Sequence, residues 1–250
     1  MKVVVVGGTG LIGSSVVTQL VREGHEALAA APNTGVNTIT GQGLDAALSG
    51  ADVVVDVSNS PSFADEDVMH FFVTSTDNIR RAAAMARVGH YVGLSIVGVD
   101  REPGMGYYRA KVAQENMIKE SGIPFSIVRS TQFFEFAGGA ADSSTVGGVV
   151  RLPHVWVQPI AAAEVSGIVA RTAASPASNA THQIAGPDAF QLDDWVRTVL
   201  KARQDGREVV ADPQALFFGA VPQPDSLVPG PDVELATTTL TEWLAKDTRR

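Results

Sequence analysis

A chain of 250 residues, 45% hydrophobic and 18% charged, has the composition of a globular protein of about one large domain and not of a disordered one. Its formal charge of -8, with no cluster of Lys and Arg, argues against a nucleic-acid partner. It has no cysteine, which excludes disulfides, thiolate metal sites and a cysteine nucleophile.

Lys2–Val6 is β-branched on both faces and ends at glycine, which predicts a fully buried strand. The apolar spacing over Leu11–Arg22 predicts a helix stopped by Gly24. A second strand follows at Glu26–Ala31, a short helix at Leu44–Leu48 and a buried strand at Ala51–Val57. Asp65–Val88 reads as a long helix, Tyr91–Val97 as a strand, Tyr107–Ser121 as a helix and Phe125–Arg129 as a strand. Strands alternating with helices predict an α/β fold, a parallel sheet with helices on both faces. Beyond Ser130 the pattern loosens through FFEF, GGAADSSTVGG and PQPDSLVPGPD, with helices expected only at Leu192–Ala202 and Thr239–Ala245. One domain over 1–250 is expected, in which about 130–250 forms a smaller, irregular part that binds substrate. Arg249 and Arg250 read as a frayed tail.

No apolar run reaches the ~18 residues of a membrane span, and a strand starting at Lys2 leaves no room for a leader. The expectation is a cytoplasmic protein with no membrane partner. The five histidines show no metal-ligand spacing, so no metal is expected. Ser14 and Ser15 do not form a hydrolase elbow, and Asp65, Glu66 and Asp67 suit a helix N-terminus.

The first strand runs into G-G-T-G-L-I-G, with Gly7, Gly10 and Gly13 at regular spacing. Gly7 allows the sharp turn, Gly10 leaves room for a phosphate against the backbone, and Gly13 lets the helix lie close to the strand. The helix start at Leu11 and Ile12 then offers free N–H groups to a pyrophosphate. Strand, glycine loop and helix in this order predict a dinucleotide site, with Thr9 in the loop. The second strand ends in Ala30, Ala31, Pro32 and Asn33, with no carboxylate to repel a 2′-phosphate. NADP(H) is therefore expected over NAD(H), while Asn33 and Thr34 are donors available to either form.

Tyr107 and Lys111 stand four apart on a helix and share a face, and Ser95 lies 12 residues before the tyrosine near a strand end. An ammonium beside a phenol lowers the phenol's pKa, so the pair suits proton donation to a carbonyl. Tyr108 is the rival phenol but stands three from Lys111. Phe133, Phe134, Phe136 and Trp156 are candidates for the walls of an apolar pocket for a small-molecule substrate, with core packing as the alternative.

Together these motifs resemble the short-chain dehydrogenase/reductase superfamily. The GxxGxxG loop, the small C-terminal part and QPIAAAEVSGIVA at 158–170 are similar to its NmrA-like branch. The resemblance implies a Rossmann-type doubly wound sheet, an NAD(P) cofactor and an oxidoreductase in which Ser95, Tyr107 and Lys111 act together. It also implies that Lys111 holds the nicotinamide ribose, that Val57, Ser58 and Asn59 pass along the cofactor, and that the segment from Arg129 through Ser130 to Gln132 lies near the nicotinamide. Two departures stand out: Phe72 falls where many members carry a relay asparagine, and TGQGL at 40–44 lacks the usual acidic residue. The alternative implied by the branch is a non-catalytic redox sensor acting through a protein partner. The chain is expected as a monomer or homodimer.

Overall fold

Val3, Val4, Val5 and Val6 are at most 1% exposed. β-branched side chains favour strand backbone, and burial on both faces is the lot of a parallel strand between helix layers. They form β1 (Lys2–Val6), followed by α1 (Leu11–Arg22), β2 (Glu26–Ala30), α2 (Leu44–Leu48), β3 (Val53–Asp56), α3 (Asp65–Ala86), β4 (His90–Ile96), α4 (Gly106–Lys119) and β5 (Phe125–Ser130). Then come α5 (Ala137–Ser143), β6 (Thr145–Val146), β7 (Val149–Leu152), β8 (Trp156–Val157), α6 (Ala162–Ala174) and β9 (Ala180–Ala185). The last elements are β10 (Phe190–Gln191), α7 (Leu192–Ala202), β11 (Glu208–Ala211), β12 (Val233–Leu235) and α8 (Leu240–Lys246). The computed structural model describes residues 1–247, so the tail expected at Arg249 and Arg250 lies outside the described residues.

A seven-stranded parallel sheet orders its strands β2-β1-β3-β4-β5-β9-β12, giving the Rossmann-like α/β fold. The chain groups into two compact units. The first comprises 1–95, 106–129 and 165–182; the second comprises 96–105, 130–164 and 183–250.

In the first unit the strand order reverses between β1 and β3, and the carboxyl ends of such strands are where open α/β sheets bind ligands. Close backbone packing builds that end. Gly7 has φ +79°, and a Cβ there would stand 2.9 Å from Ser58 Cα and Val57 O. A Cβ on Gly13 would stand 2.2 Å from Gly7 O and 2.7 Å from Gly8 Cα. The glycine spacing thus lets α1 and the loop after β3 both close onto the turn after β1.

In the second unit, α7 buries Trp195, Val196, Val199 and Leu200 and packs against α5 and β11. A three-stranded sheet β11-β7-β6 and the pair β10-β8 complete it. The sequence pattern left most of these elements unassigned. Strands of two to four residues are too short to display a period. Among the described residues, no helix is long and apolar enough to cross a membrane.

The Gly13 contact gives a direct expectation. Gly13→Ala pushes a methyl into the Gly7 carbonyl, and such overpacking costs about 1–3 kcal/mol. Urea unfolding should show that loss, whereas Gly24→Ala, where a Cβ meets nothing within 4 Å, should lose only what its φ of +85° demands.

Candidate active site

The loop between β1 and α1 is exposed at Thr9, Gly10 and Leu11, while Gly8, Ile12 and Gly13 are buried beneath it. No side chain caps α1, so its first amides are left for an anion. A Cβ on Gly10 would touch nothing closer than Gly7 O at 3.3 Å, and without it the backbone lies open to a phosphate. Thr9 Oγ1 donates to Asn33 Oδ1 at 3.1 Å, tying the glycine loop to the turn after β2. That turn is a single 3-10 turn at Pro32–Thr34, exposed and free of charge. Val57 and Ser58 abut Gly7, so the two cofactor segments named from the sequence meet at one edge. An uncapped helix start and a cradle without Cβ atoms fit a dinucleotide's phosphates.

Tyr107, in the first turn of α4, is buried with its ring edge-on to Phe72 (centroids 5.6 Å) and tilted against Phe63 (5.7 Å). Its hydroxyl donates to Asn59 Oδ1 at 2.7 Å. The Ser60 N–H also donates to that oxygen, at 3.0 Å, which fixes the orientation of the Asn59 amide. Burial pushes the Tyr107 phenol well above its ordinary value. The sequence expectation, a phenol lowered by Lys111, is opposite in direction; burial accounts for the rise.

Lys111 Nζ donates to Leu94 O at 2.7 Å and to Gln114 Oε1, and lies 4.5 Å from the Phe72 ring centroid. Burial brings its pKa down to about 8, against the opposing pull of Asp56 and Glu115. Phe72, expected where a relay asparagine is common, packs against both Tyr107 and Lys111. Gln114 Nε2 donates to Asp56 Oδ2 at 2.9 Å. The Tyr91 hydroxyl donates to the same oxygen at 3.2 Å, and Ser58 Oγ and N–H donate to Asp56 Oδ1 at 2.6 and 3.1 Å.

Ser95 Oγ is buried without a full hydrogen bond and lies toward Glu115. Burial would raise the Glu115 carboxyl, but Arg129, Ser95 and Lys119 together hold it below its ordinary value. Arg129 grips it at 2.8 and 2.9 Å. Tyr108 is wholly buried. The remaining candidates fall in the second unit. Ser130 is buried and donates to Thr131 O at 2.9 Å. Phe133 is half-buried, bridged to Ile160. Phe134 is buried against Trp243 (5.4 Å), as in core packing. Phe136 stacks on Phe218 at 5.6 Å with Phe217 edge-on, and Trp156 is 46% exposed.

Sequence reasoning missed Asp56, Tyr91, Gln114 and Phe63. The signal for one of them was present. VVVD puts a carboxylate into an otherwise apolar buried strand, and such a group needs partners. Gln114, three residues after Lys111, shares its helix face.

Residues 7–176 match the family model described as NAD(P)H-binding. The chain is 29% identical over 206 residues to (4-alkanoyl-5-oxo-2,5-dihydrofuran-3-yl)methyl phosphate reductase of Streptomyces griseus, covering 75% of this chain and 69% of that protein. Among solved structures it resembles MoeE5 in complex with UDP-glucose and NAD (TM-score 0.72, 17% identity, 98% and 96% of the two chains). It also resembles the NADPH-dependent quinone oxidoreductase of Escherichia coli complexed with NADPH (TM-score 0.65, 19% identity, 84% and 77%). With the family match running from the glycine loop across more than half of its length, the chain belongs to the NAD(P)H-binding family.

Proposed function

We propose that this protein is an NADPH-dependent reductase acting on a carbonyl of a small apolar molecule. The observation that carries the reading is the Tyr107 hydroxyl, a buried phenol one helical turn from Lys111 in the unit that holds the glycine loop. The bound cofactor supplies the hydride. Tyr107, kept protonated by burial, gives its proton to the oxygen on which negative charge develops. Asn59 holds that hydroxyl at rest and keeps its own amide nitrogen as a donor for the same oxygen. Ser95 would have to turn from Glu115 to serve the carbonyl, as the resemblance implies. Lys111, charged below about pH 8, is the group for a ribose hydroxyl of the cofactor. Phe63, 55% exposed beside Tyr107, offers an apolar wall within the first unit. Two of the similar proteins are named as a reductase of an oxo-dihydrofuran methyl phosphate and as a quinone oxidoreductase, which supports the reductase reading here.

A sensor without turnover is the second reading, and the position of Ser95 beside Glu115 favours it. Both readings need cofactor binding; only the first needs Tyr107 chemistry.

Titration of tryptophan emission should give tighter binding of NADPH than of NADH. Asn33→Asp, which puts a carboxylate at the end of β2, should reverse that order. With NADPH and a panel of quinones and cyclic enones, Tyr107→Phe should lower turnover about 10²–10⁴-fold while leaving the NADPH dissociation constant within about twofold. Full turnover in that variant overturns the assignment, and absence of turnover in the wild-type protein on every carbonyl tried favours the sensor.

A further inference from the structure

Lys111 is 3% exposed, and its ammonium keeps two hydrogen bonds within the first unit. Leu94 O and Gln114 Oε1 accept two of its hydrogens, and the face of Phe72 covers it. Gln114 is itself 1% exposed and spans the gap to a second buried charge, Asp56, also 1% exposed. Its amide nitrogen donates to Asp56 Oδ2 while its amide oxygen takes the lysine. A primary amide between a carboxylate and an ammonium, with its N–H toward the anion and its C=O toward the cation, has its dipole aligned with both charges. That alignment fixes the amide's orientation and stabilises the ammonium more than an apolar side chain would.

We infer that Gln114 is the positioning residue for Lys111, and that the chain Asp56–Gln114–Lys111 fixes where the ammonium sits and how firmly it keeps its proton. This rests on the reductase reading only for the use to which Lys111 is put. Gln114 touches neither a reacting atom nor the glycine loop and acts through Lys111.

The charged groups around Lys111 are few among the described residues. Asp56 comes from β3 and Glu115 from its own helix. Glu115 is already held by Arg129 of β5 and by Lys119. β4 contributes Tyr91, whose hydroxyl is bonded to Asp56, and α3 contributes the uncharged Phe72. Glu115 is thus neutralised by two cations of its own, and Asp56, reached through Gln114, is the counter-charge left for Lys111.

The test is an NMR titration of the Lys111 13Cε resonance in the whole protein without cofactor, assigned by its loss in Lys111→Met. The wild-type midpoint is expected near 8. Gln114→Leu removes the acceptor and the link to Asp56, and its midpoint should fall by one pH unit or more. Gln114→Glu keeps an acceptor for Lys111 and adds a negative charge, so its midpoint should rise. A residue that merely packs would move both variants the same way or not at all. An unmoved midpoint in Gln114→Leu overturns the inference; if that variant does not fold, an unmoved or lowered midpoint in Gln114→Glu does so. NADPH titration of the same samples separates the two claims. Shifted midpoints with no NADPH binding in the wild-type protein would leave the lysine chain standing and remove the reductase reading.

Discussion

A carboxylate sealed at the end of a buried strand has to be hydrogen-bonded on both oxygens, or the strand cannot keep it. Asp56 meets that demand with four donors: the Ser58 hydroxyl and amide, the Tyr91 hydroxyl and the Gln114 amide. Each donor fixes a different part of the first unit. Ser58 sets the path of the loop that abuts Gly7 and presents Asn59. Tyr91 ties in the neighbouring strand. Gln114 fixes the rotation of α4, and with it the face that carries Tyr107 and Lys111. The catalytic candidates are held in place from below by one acid that none of them touches directly.

Glycine supplies the complementary constraint from above. The absence of three methyl groups, at Gly7, Gly8 and Gly13, lets the loop after β3, the end of β2 and the start of α1 share one small volume. Backbone atoms at van der Waals distance leave little freedom to the loop. If the loop holds phosphate as proposed, such packing forms the site before a ligand arrives, which reduces the ordering cost of binding.

Much of this could be read from the residues. The pattern located β1, α1, α2 and α7 because burial there is either complete or one-sided, and both leave a clear trace. The glycine loop was legible because its chemistry is local. The Tyr107–Lys111 pair was legible as a shared helix face. What could not be read depended on distant partners. Nothing at position 59 announces that its amide will meet a phenol 48 residues later. Nothing at Ser95 tells that it will face Glu115, since the strand's alternation fixes a face but not the group opposite it. Lys111 next to a tyrosine suggested a lowered phenol pKa, and the opposite direction followed from burial. Beyond Ser130, two-residue strands gave periodicity nothing to detect.

The turn at Pro32–Thr34 is built differently from the cradle beside it. Its three residues are exposed, none belongs to the buried core, and Asn33 is tied in through one hydrogen bond from Thr9. The glycines serve the packing on which the proposed phosphate site rests, so changes there disturb the fold first. The turn, proposed to carry the cofactor preference, is closed by its own Thr34, whose Oγ1 accepts from the Ala31 amide at 2.9 Å. On the proposed reading, cofactor preference is therefore an evolvable trait set apart from the glycine packing, open to revision by single substitutions that leave the sheet intact.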